Sequence, residues 1–240
     1  MHEVTAPDWP AGTLLARLSR PTADALLRLG NPKRVPPGSV LIREGDEESH
    51  VFVIQHGLTK VTAETAKGRP ALLSIRVSGD LLGELSALSG TPRSATVTMC
   101  GPRPGLVRVV RGRDFGRFLT DHPDAAVDLA ATVGERLRWS NQRRIDFTSY
   151  PVRTRVARVL SELAGRHGTP ARHGALEIGV RLTQPELAAL SGAAEISVQK
   201  ALRELRRAGL LSTGYGRITV RDPAALQDIA ELSADPTRAG

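Results

Sequence analysis

A glycine, a glutamate and an arginine in this sequence have a spacing that suits the binding of an anion. Gly83-Glu84-Leu85-Ser86 is predicted to open a short helix, and Arg93 follows nine residues after Glu84. The free backbone N–H groups and the positive dipole end of such a helix suit a phosphate. The arginine can close on the opposite side with a charge-assisted, bidentate contact. The segment therefore predicts a phosphate site. The alternative is that Glu84 and Arg93 simply pair with each other in a vestigial pocket.

A second segment, residues 182–221, combines features that are typical of a DNA-reading motif. Thr183 and Glu186 have the spacing of a capping box, which predicts a helix from Gln184. Gly192 supplies the tight turn that a helix-turn-helix needs between its two short helices.

The second helix of this motif is predicted from about Glu195 to Ala208. Its polar face carries an amide and four cations: Gln199, Lys200, Arg203, Arg206 and Arg207. Two short strands flank Gly214-Tyr215-Gly216, which predicts a hairpin wing. An ordinary helical hairpin with a solvated basic face is the alternative. The combination of cap, turn, basic helix and wing favours a helix that enters the major groove and reads base edges.

The elements around these two segments predict an α+β protein. Residues 14–30 form short helices, and from Val35 to about Arg111 short β-branched segments alternate with turns rich in Gly, Pro and Asp. Closely spaced strands of this kind indicate a β-sandwich or small barrel. We expect a ligand-sensing domain over residues 1–122, a dimerisation helix and hinge over 123–150, and a DNA-binding domain over 151–240, with residues 235–240 as a frayed tail.

A long helix is predicted from Pro123 to Ser149, ended or kinked at Pro151, which would make 149–152 the hinge. Residues at alternating steps of four and three form a seam-like stripe along it: Val133, Leu137, Ser140, Arg144 and Phe147. The helix could pack on its own barrel. Its length and its position between two domains favour a parallel dimer helix.

Composition narrows the class of protein. The net charge of +8 favours a polyanionic partner, and residues 151–240 carry 13 Lys/Arg against 9 Asp/Glu. Cys100 is the only cysteine, which excludes an internal disulfide and an iron–sulfur cluster ligated within one subunit. No apolar run approaches the roughly 18 residues of a membrane span, and we expect no secretory signal at the N-terminus. We expect a cytoplasmic protein with no membrane partner.

The order of parts resembles the Crp/Fnr family of transcription regulators over residues 12–230. Three stretches carry the resemblance: PPGSVLIREGDEESHVFVIQHGLTKV, GDLLGELSALSGTPRSATV and the helix-turn-helix with its wing. The resemblance implies a jelly-roll barrel of the cyclic-nucleotide-binding type, a dimerisation helix and a winged helix-turn-helix. It also implies that the effector is cAMP or a related cyclic nucleotide. The implied partners are a second copy of the chain, double-stranded DNA with a two-fold symmetric operator, and RNA polymerase.

The resemblance assigns roles to single residues of the barrel and of the long helix. Glu84 matches the family's glutamate that accepts a hydrogen bond from the ribose 2′-hydroxyl. Arg93 matches the cyclic-phosphate arginine, and Ser94 matches its neighbouring hydroxyl. Ser140 and Asn141 match an adjacent hydroxyl–polar pair that contacts the purine, one residue from each subunit. Alternatively, this polar pair sets the register of the two helices.

The residues predicted to bind DNA lie at the N-cap of the first short helix and along the second: Thr183, Glu195, Ile196, Ser197, Gln199, Lys200 and Arg203. Glu195 and Ile196 stand where the family commonly carries Arg-Glu, so we expect an operator that differs from the usual one. Ala194 stands in place of the usual N-cap serine, which weakens that helix start by about 1 kcal/mol.

A metalloenzyme on a cupin-like barrel is the rival from another class, and it would require clustered histidines and carboxylates. The six histidines are scattered, and signatures of nucleotide hydrolases, esterases and kinases are missing. We therefore expect no catalytic residue and no metal site. A haem sensor needs only one histidine and stays open, as does a ligand-independent DNA-binding protein.

Overall fold

The computed structural model describes residues 9–66, 68–214 and 217–231. The described residues of Met1–Ala63 and Ile75–Arg136 form one compact unit, and those of Glu64–Ser74 and Leu137–Gly240 form the other. The wing tip predicted at Tyr215-Gly216 and the frayed tail predicted at 235–240 lie outside the described residues. The three domain boundaries predicted from the sequence stay predictions.

The predicted barrel consists of two antiparallel sheets of four strands, the double-sheet arrangement of a jelly roll. The strands of the first sheet are, in order, β1 (Asn31–Val35), β8 (Gly105–Val110), β3 (Val51–His56) and β6 (Leu81–Leu82). The strands of the second are, in order, β2 (Val40–Ile42), β7 (Thr96–Met99), β4 (Leu58–Glu64) and β5 (Pro70–Val77).

Strand β3 packs against an apolar cluster on each of its two faces. Phe52 and Ile54 pack into the core between the sheets, whereas Val51 and Val53 pack into a second cluster on the helical side. Successive side chains of a strand point to opposite faces, so the first four residues of β3 are all apolar because both faces of the strand are buried there.

The helices of the first unit cover this second face. They are α1 (Leu14–Arg17), α2 (Arg20–Arg28), α3 (Glu84–Ser89) and α4 (Gly112–Asp121). Leu26 of α2 and Phe115 of α4 are fully buried there, and Leu129 of the following helix joins the same cluster. This packing holds the start of the long helix against the barrel.

The long helix, α5 (Pro123–Ser149), has the predicted bounds, and Pro151 is the N-cap of α6 (Val152–His167), which confirms the predicted end. The residues of the predicted stripe on α5 have different surroundings, and the pairing of the stripe with a second copy stays a prediction. Val133 packs against the core of the first unit, and the ring of Phe147 packs against Gly192. Val133 and Phe147 therefore contact their own chain, although Phe147 is still 39% exposed, and the other exposed apolar residues of α5 include Val127, Leu137 and Ile145.

The second unit contains the remaining elements, which pack around α6. They are β9 (Gly168–Pro170), β10 (Leu176–Ile178), α7 (Gln184–Ser191), α8 (Glu195–Arg207), β11 (Leu211–Gly214), β12 (Arg217–Val220) and α9 (Pro223–Glu231). Helix α6 contacts α7, α8 and α9, and its Val156, Ala157 and Leu160 are buried. The strands form one antiparallel sheet in the order β11-β12-β10-β9. The mixture of helices and antiparallel sheets confirms the α+β class.

Candidate ligand pocket and nucleic-acid interface

The predicted phosphate segment begins at a glycine that no other residue could replace without strain. Gly83 is the N-cap of α3 and has a φ of +80°. A Cβ atom there would lie 2.4 Å from Nη1 of Arg93 and 2.9 Å from the backbone oxygen of His50. Glycine therefore permits both the left-handed backbone and the close approach of the arginine. Because α3 has only six residues, its N-terminus does not by itself make an anion site, and the predicted role of Arg93 becomes the decisive one.

Arg93 is a buried cation that is held by backbone carbonyls. It is 4% exposed, and its Nη1 and Nη2 donate to the oxygens of Gly83 at 2.9 Å and His50 at 2.5 Å. Within the described part of the chain, it forms no salt bridge with a carboxylate. Burial lowers the pKa of the guanidinium, and Glu48 and Glu84 nearby oppose that shift. The backbone at Arg93 is also fixed, since its N–H donates to the backbone oxygen of Asp46.

Glu84 is equally buried, at 5% exposure, but its partner is Arg136 of α5 rather than Arg93. Nη1 of Arg136 donates to Oε1 of Glu84 at 2.7 Å, and Nη2 donates to Oδ1 of Asp80 at 3.1 Å and to the oxygen of Leu81 at 3.2 Å. The direct Glu84–Arg93 pair considered from the sequence is thus not formed. Sequence reasoning missed Arg136, because an arginine within a long helix carries no spacing signal.

The other residues predicted for the pocket have different surroundings. Ser86 is buried, and its hydroxyl lies 3.4 Å from the oxygen of Pro92, whereas Leu85 and Ser94 are exposed. Ser140 and Asn141 are exposed on the part of α5 that belongs to the second unit. Their contact with a purine stays a prediction.

The first helix of the DNA-reading motif begins with the predicted capping box. Oγ1 of Thr183 accepts from the backbone N–H of Glu186, and the backbone N–H of Thr183 donates to Oε2 of Glu186. The predicted turn is also present, since Gly192 has a φ of +58°. A Cβ there would lie 2.3 Å from the Phe147 ring, and Arg155 donates to the Gly192 oxygen at 2.8 Å. These contacts pack the turn against Phe147 and Arg155 of the second unit.

The second helix, α8, separates a buried face from a polar one, as predicted. The buried face consists of Val198, Ala201, Leu202 and Leu205. The opposite face brings together the residues predicted to contact DNA, which are exposed or half-buried: Glu195, Ile196, Ser197, Gln199, Lys200 and Arg203. Ile196 is 73% exposed, which is unusual for so apolar a side chain. Ala194 makes no side-chain cap, as the sequence predicts.

The strands of the wing extend this surface. Arg206 of α8 donates to the hydroxyl of Thr213 on β11 at 3.0 Å, which ties the helix to the wing. On β12, the exposed Arg217 lies 3.5 Å from Glu177. Over the described residues there is no group of three or more His, Cys, Asp or Glu side chains that could hold a metal ion. None of the helices described is both long and apolar enough to span a membrane.

Comparison with known proteins identifies a family for each of the two domains. The cyclic nucleotide-binding domain family matches residues 32–122, and the Crp-like helix-turn-helix domain family matches residues 154–229. The CRP-like cAMP-activated global transcriptional regulator of Mycobacterium tuberculosis is 32% identical over 84% of this chain and 89% of its own length. The cAMP-activated global transcriptional regulator CRP of Escherichia coli is 25% identical over 83% and 93%.

A solved structure supports the same assignment. The crystal structure of a CRP-family transcriptional regulator from Thermus thermophilus matches 84% of this chain and 97% of its own, with a TM-score of 0.67 and 26% identity. The chain has a cyclic-nucleotide-binding domain and a Crp-like helix-turn-helix, and its relatives are regulators rather than enzymes. This chain therefore belongs to the Crp/Fnr family of DNA-binding transcription regulators.

Proposed function

We propose that the chain is a homodimeric regulator whose DNA binding is controlled by a cyclic nucleotide bound at Glu84 and Arg93. The observation that carries the proposal is the buried Arg93, whose cation has no carboxylate bonded to it in the described chain. Leaving a charge buried without a countercharge costs free energy, and an anionic ligand would offset that cost. The guanidinium has five N–H donors, and two hydrogen bonds to carbonyls leave others for a phosphate.

The surroundings of Glu84 fit the sugar of such a ligand. Arg136 donates to Oε1 of Glu84, while Oε2 of Glu84 has no hydrogen-bond partner among the described residues. A ribose hydroxyl can donate to Oε2, whereas a second anion would be repelled by the carboxylate. The two side chains thus select a ligand with a phosphate beside a hydroxyl, as in cAMP or cGMP. The names of the relatives, which are cAMP-activated, favour cAMP.

The exposed face of α5 supports the dimer. Val127, Leu137 and Ile145 are 69%, 60% and 54% exposed, and Asn141 lies on the same face of the helix. Together with Ala130 and Gly134, these residues recur at steps of three and four. An apolar stripe of this period is buried when two helices pair, and a polar residue such as Asn141 within it sets their register. Two paired copies of α8 would then read a two-fold symmetric operator.

Three measurements test the proposal. Isothermal titration of the purified protein with cAMP, cGMP and cyclic di-GMP should give saturable binding of one of them. That nucleotide should raise the affinity for a site obtained by random-site selection. Tight DNA binding without response to any nucleotide would support a ligand-independent regulator instead.

Sedimentation at micromolar concentration should show twice the chain mass of 25.7 kDa, and a clean monomer would contradict the dimer. RNA polymerase as a partner and the cytoplasm as location are part of the same proposal.

A further inference from the structure

The reading surface of α8 includes one side chain that is held by the neighbouring helix. Nε2 of Gln199 donates to Oε1 of Gln184 at 2.5 Å, across 15 residues of sequence. Gln184 is the first residue of α7 and directly follows the N-cap Thr183, so its backbone is fixed by the capping box. Gln199 is fixed in turn because the adjacent Val198 is fully buried. The two amides therefore meet between two anchored backbones.

We infer that Gln184, although it lies outside the recognition helix, is a positioning residue that determines specificity: it orients Gln199 to accept adenine and to exclude guanine. The inference rests on the proposed reading of DNA by α8.

Adenine presents one acceptor, N7, and one donor, the N6 amino group, in the major groove, whereas guanine presents two acceptors, N7 and O6. The amide of Gln199 has two N–H hydrogens and one oxygen. Gln184 takes one hydrogen, which leaves one donor and one acceptor. That remaining pair matches adenine. Against guanine, Oε1 of Gln199 would face a second acceptor.

A glutamine without such a neighbour can satisfy guanine by turning both N–H hydrogens towards O6 and N7. The contact with Gln184 removes this option, because the second hydrogen is already bonded inside the protein. The pair also borders a cleft of about 350 Å³ whose other lining residues include Arg203, Arg206 and Thr213. These cations attract DNA phosphates, so the amides become enclosed when DNA binds, and an unmatched donor or acceptor is then costly.

The experiment compares the wild type with Gln184→Ala, Gln184→Glu, Gln199→Ala and the double variant Gln184→Ala/Gln199→Ala on the same DNA, with Gln227→Ala on α9 as the control. Random-site selection with the wild type identifies the operator. Dissociation constants are then measured for the selected site and for its variants with adenine replaced by guanine. The wild type should prefer adenine at one position in each half-site, and Gln199→Ala should abolish that preference.

Gln184→Ala should reduce the preference for adenine over guanine by about fivefold or more, mainly through tighter binding of the guanine site, which is the scale of a lost base discrimination. Gln184→Glu should retain the preference, because a carboxylate still accepts from Gln199, while its negative charge weakens binding to both sites. Gln227→Ala should change neither quantity. Adding Gln184→Ala to Gln199→Ala should have no further effect on the preference.

Three outcomes would overturn the inference. Gln184→Ala could weaken both sites equally, which would make Gln184 a phosphate contact only. The wild type could prefer guanine in a manner that depends on Gln184, which would mean that the amide pair is oriented the other way. Gln199→Ala could leave all preferences unchanged, in which case Gln199 does not read a base. A protein that selects no site at all would instead contradict the proposed function itself.

Discussion

Arg93 in the first unit is 4% exposed and bonded to two backbone carbonyls, whereas Arg203 in the second unit lies exposed on α8. Both are cations proposed to meet phosphate. The buried one is desolvated and held in one position, so it suits a small ligand of defined shape. The exposed one is solvated and shares a surface with other cations, so it suits a polymer of phosphates. Burial, rather than residue type, separates recognition of one molecule from attraction to a charged surface.

The largest expected difference between the two sites is in their response to salt. DNA binding through six or more phosphate contacts should weaken by about 1,000-fold between 50 and 200 mM salt. Binding releases cations that are condensed on the DNA, and the free energy gained from this release becomes smaller as the salt concentration rises. Nucleotide binding at the buried Arg93 should change by less than about tenfold, since salt screens buried charges much less. Fluorescence anisotropy with labelled DNA and titration calorimetry with the nucleotide would measure both. Equal salt dependence at the two sites would refute the comparison.

The second largest effect is expected from Arg93→Leu. Loss of two charge-assisted hydrogen bonds to a phosphate should lower the affinity for the nucleotide by about 100-fold or more. Affinity for DNA in the absence of nucleotide should not change. Calorimetry measures the first quantity and anisotropy the second.

Arg113→Leu is the matched control, because Arg113 has an exposed side chain that pairs with the adjacent Asp114. Arg93→Lys addresses the possibility of misfolding, since lysine keeps the charge but cannot bind two acceptors as a planar fork. It should fold and bind with intermediate affinity. Unchanged nucleotide affinity in both Arg93 variants would mean that the ligand binds elsewhere.

In the second unit, the largest effect of substitution is expected at the start of α8. Glu195→Arg combined with Ile196→Glu restores the residues common in the family and should shift preference to the family's usual half-site. The gain of a bidentate guanine contact is worth about 1–3 kcal/mol. Selection from random DNA with wild type and double variant side by side measures the shift. If the wild type already selects the usual half-site, Glu195 and Ile196 do not determine the operator.

The two units also differ in how far their structure could be predicted. The capping box of Thr183 and Glu186, the turn at Gly192 and the apolar face of α8 follow from local spacing, and the structure has all three. In the barrel, β1 was missed because its first four residues are exposed and show no apolar alternation. Local patterns reveal an element only when one of its faces is buried in a regular period.

The pocket also shows that local sequence patterns predict some contacts between side chains but not others. Gly83, Glu84 and Arg93 were identified from a short segment and are together in the structure. Arg136 was missed because its partners Asp80 and Glu84 are 56 and 52 residues away in sequence. Such a pair depends on how a helix packs against a barrel, which no local motif encodes. The partial burial of Val133 on α5 has the same origin, since packing against the barrel decides which residues of the helix stay exposed.

The smallest expected effect concerns the N-terminus of α8. Ala194 occupies the N-cap with an extended backbone, φ −69° and ψ 147°, and no side chain caps the helix. This backbone conformation allows a serine hydroxyl to accept from the backbone N–H of Ile196 or Ser197. Ala194→Ser should therefore raise the free energy of unfolding of the second unit by about 1 kcal/mol. Ala193→Ser, one residue outside the N-cap, is the control and should have no such effect.

Calorimetric unfolding would show whether this gain is confined to one unit. The transition of the second unit should move upward by a few degrees. The affinity for nucleotide should stay the same, because residue 194 lies outside the first unit. Affinity for DNA should change little, since the serine hydroxyl is used by the helix itself. A gain in DNA affinity without a gain in stability would mean that the hydroxyl contacts a phosphate, and residue 194 would then belong to the exposed, salt-dependent surface rather than to the folding of α8.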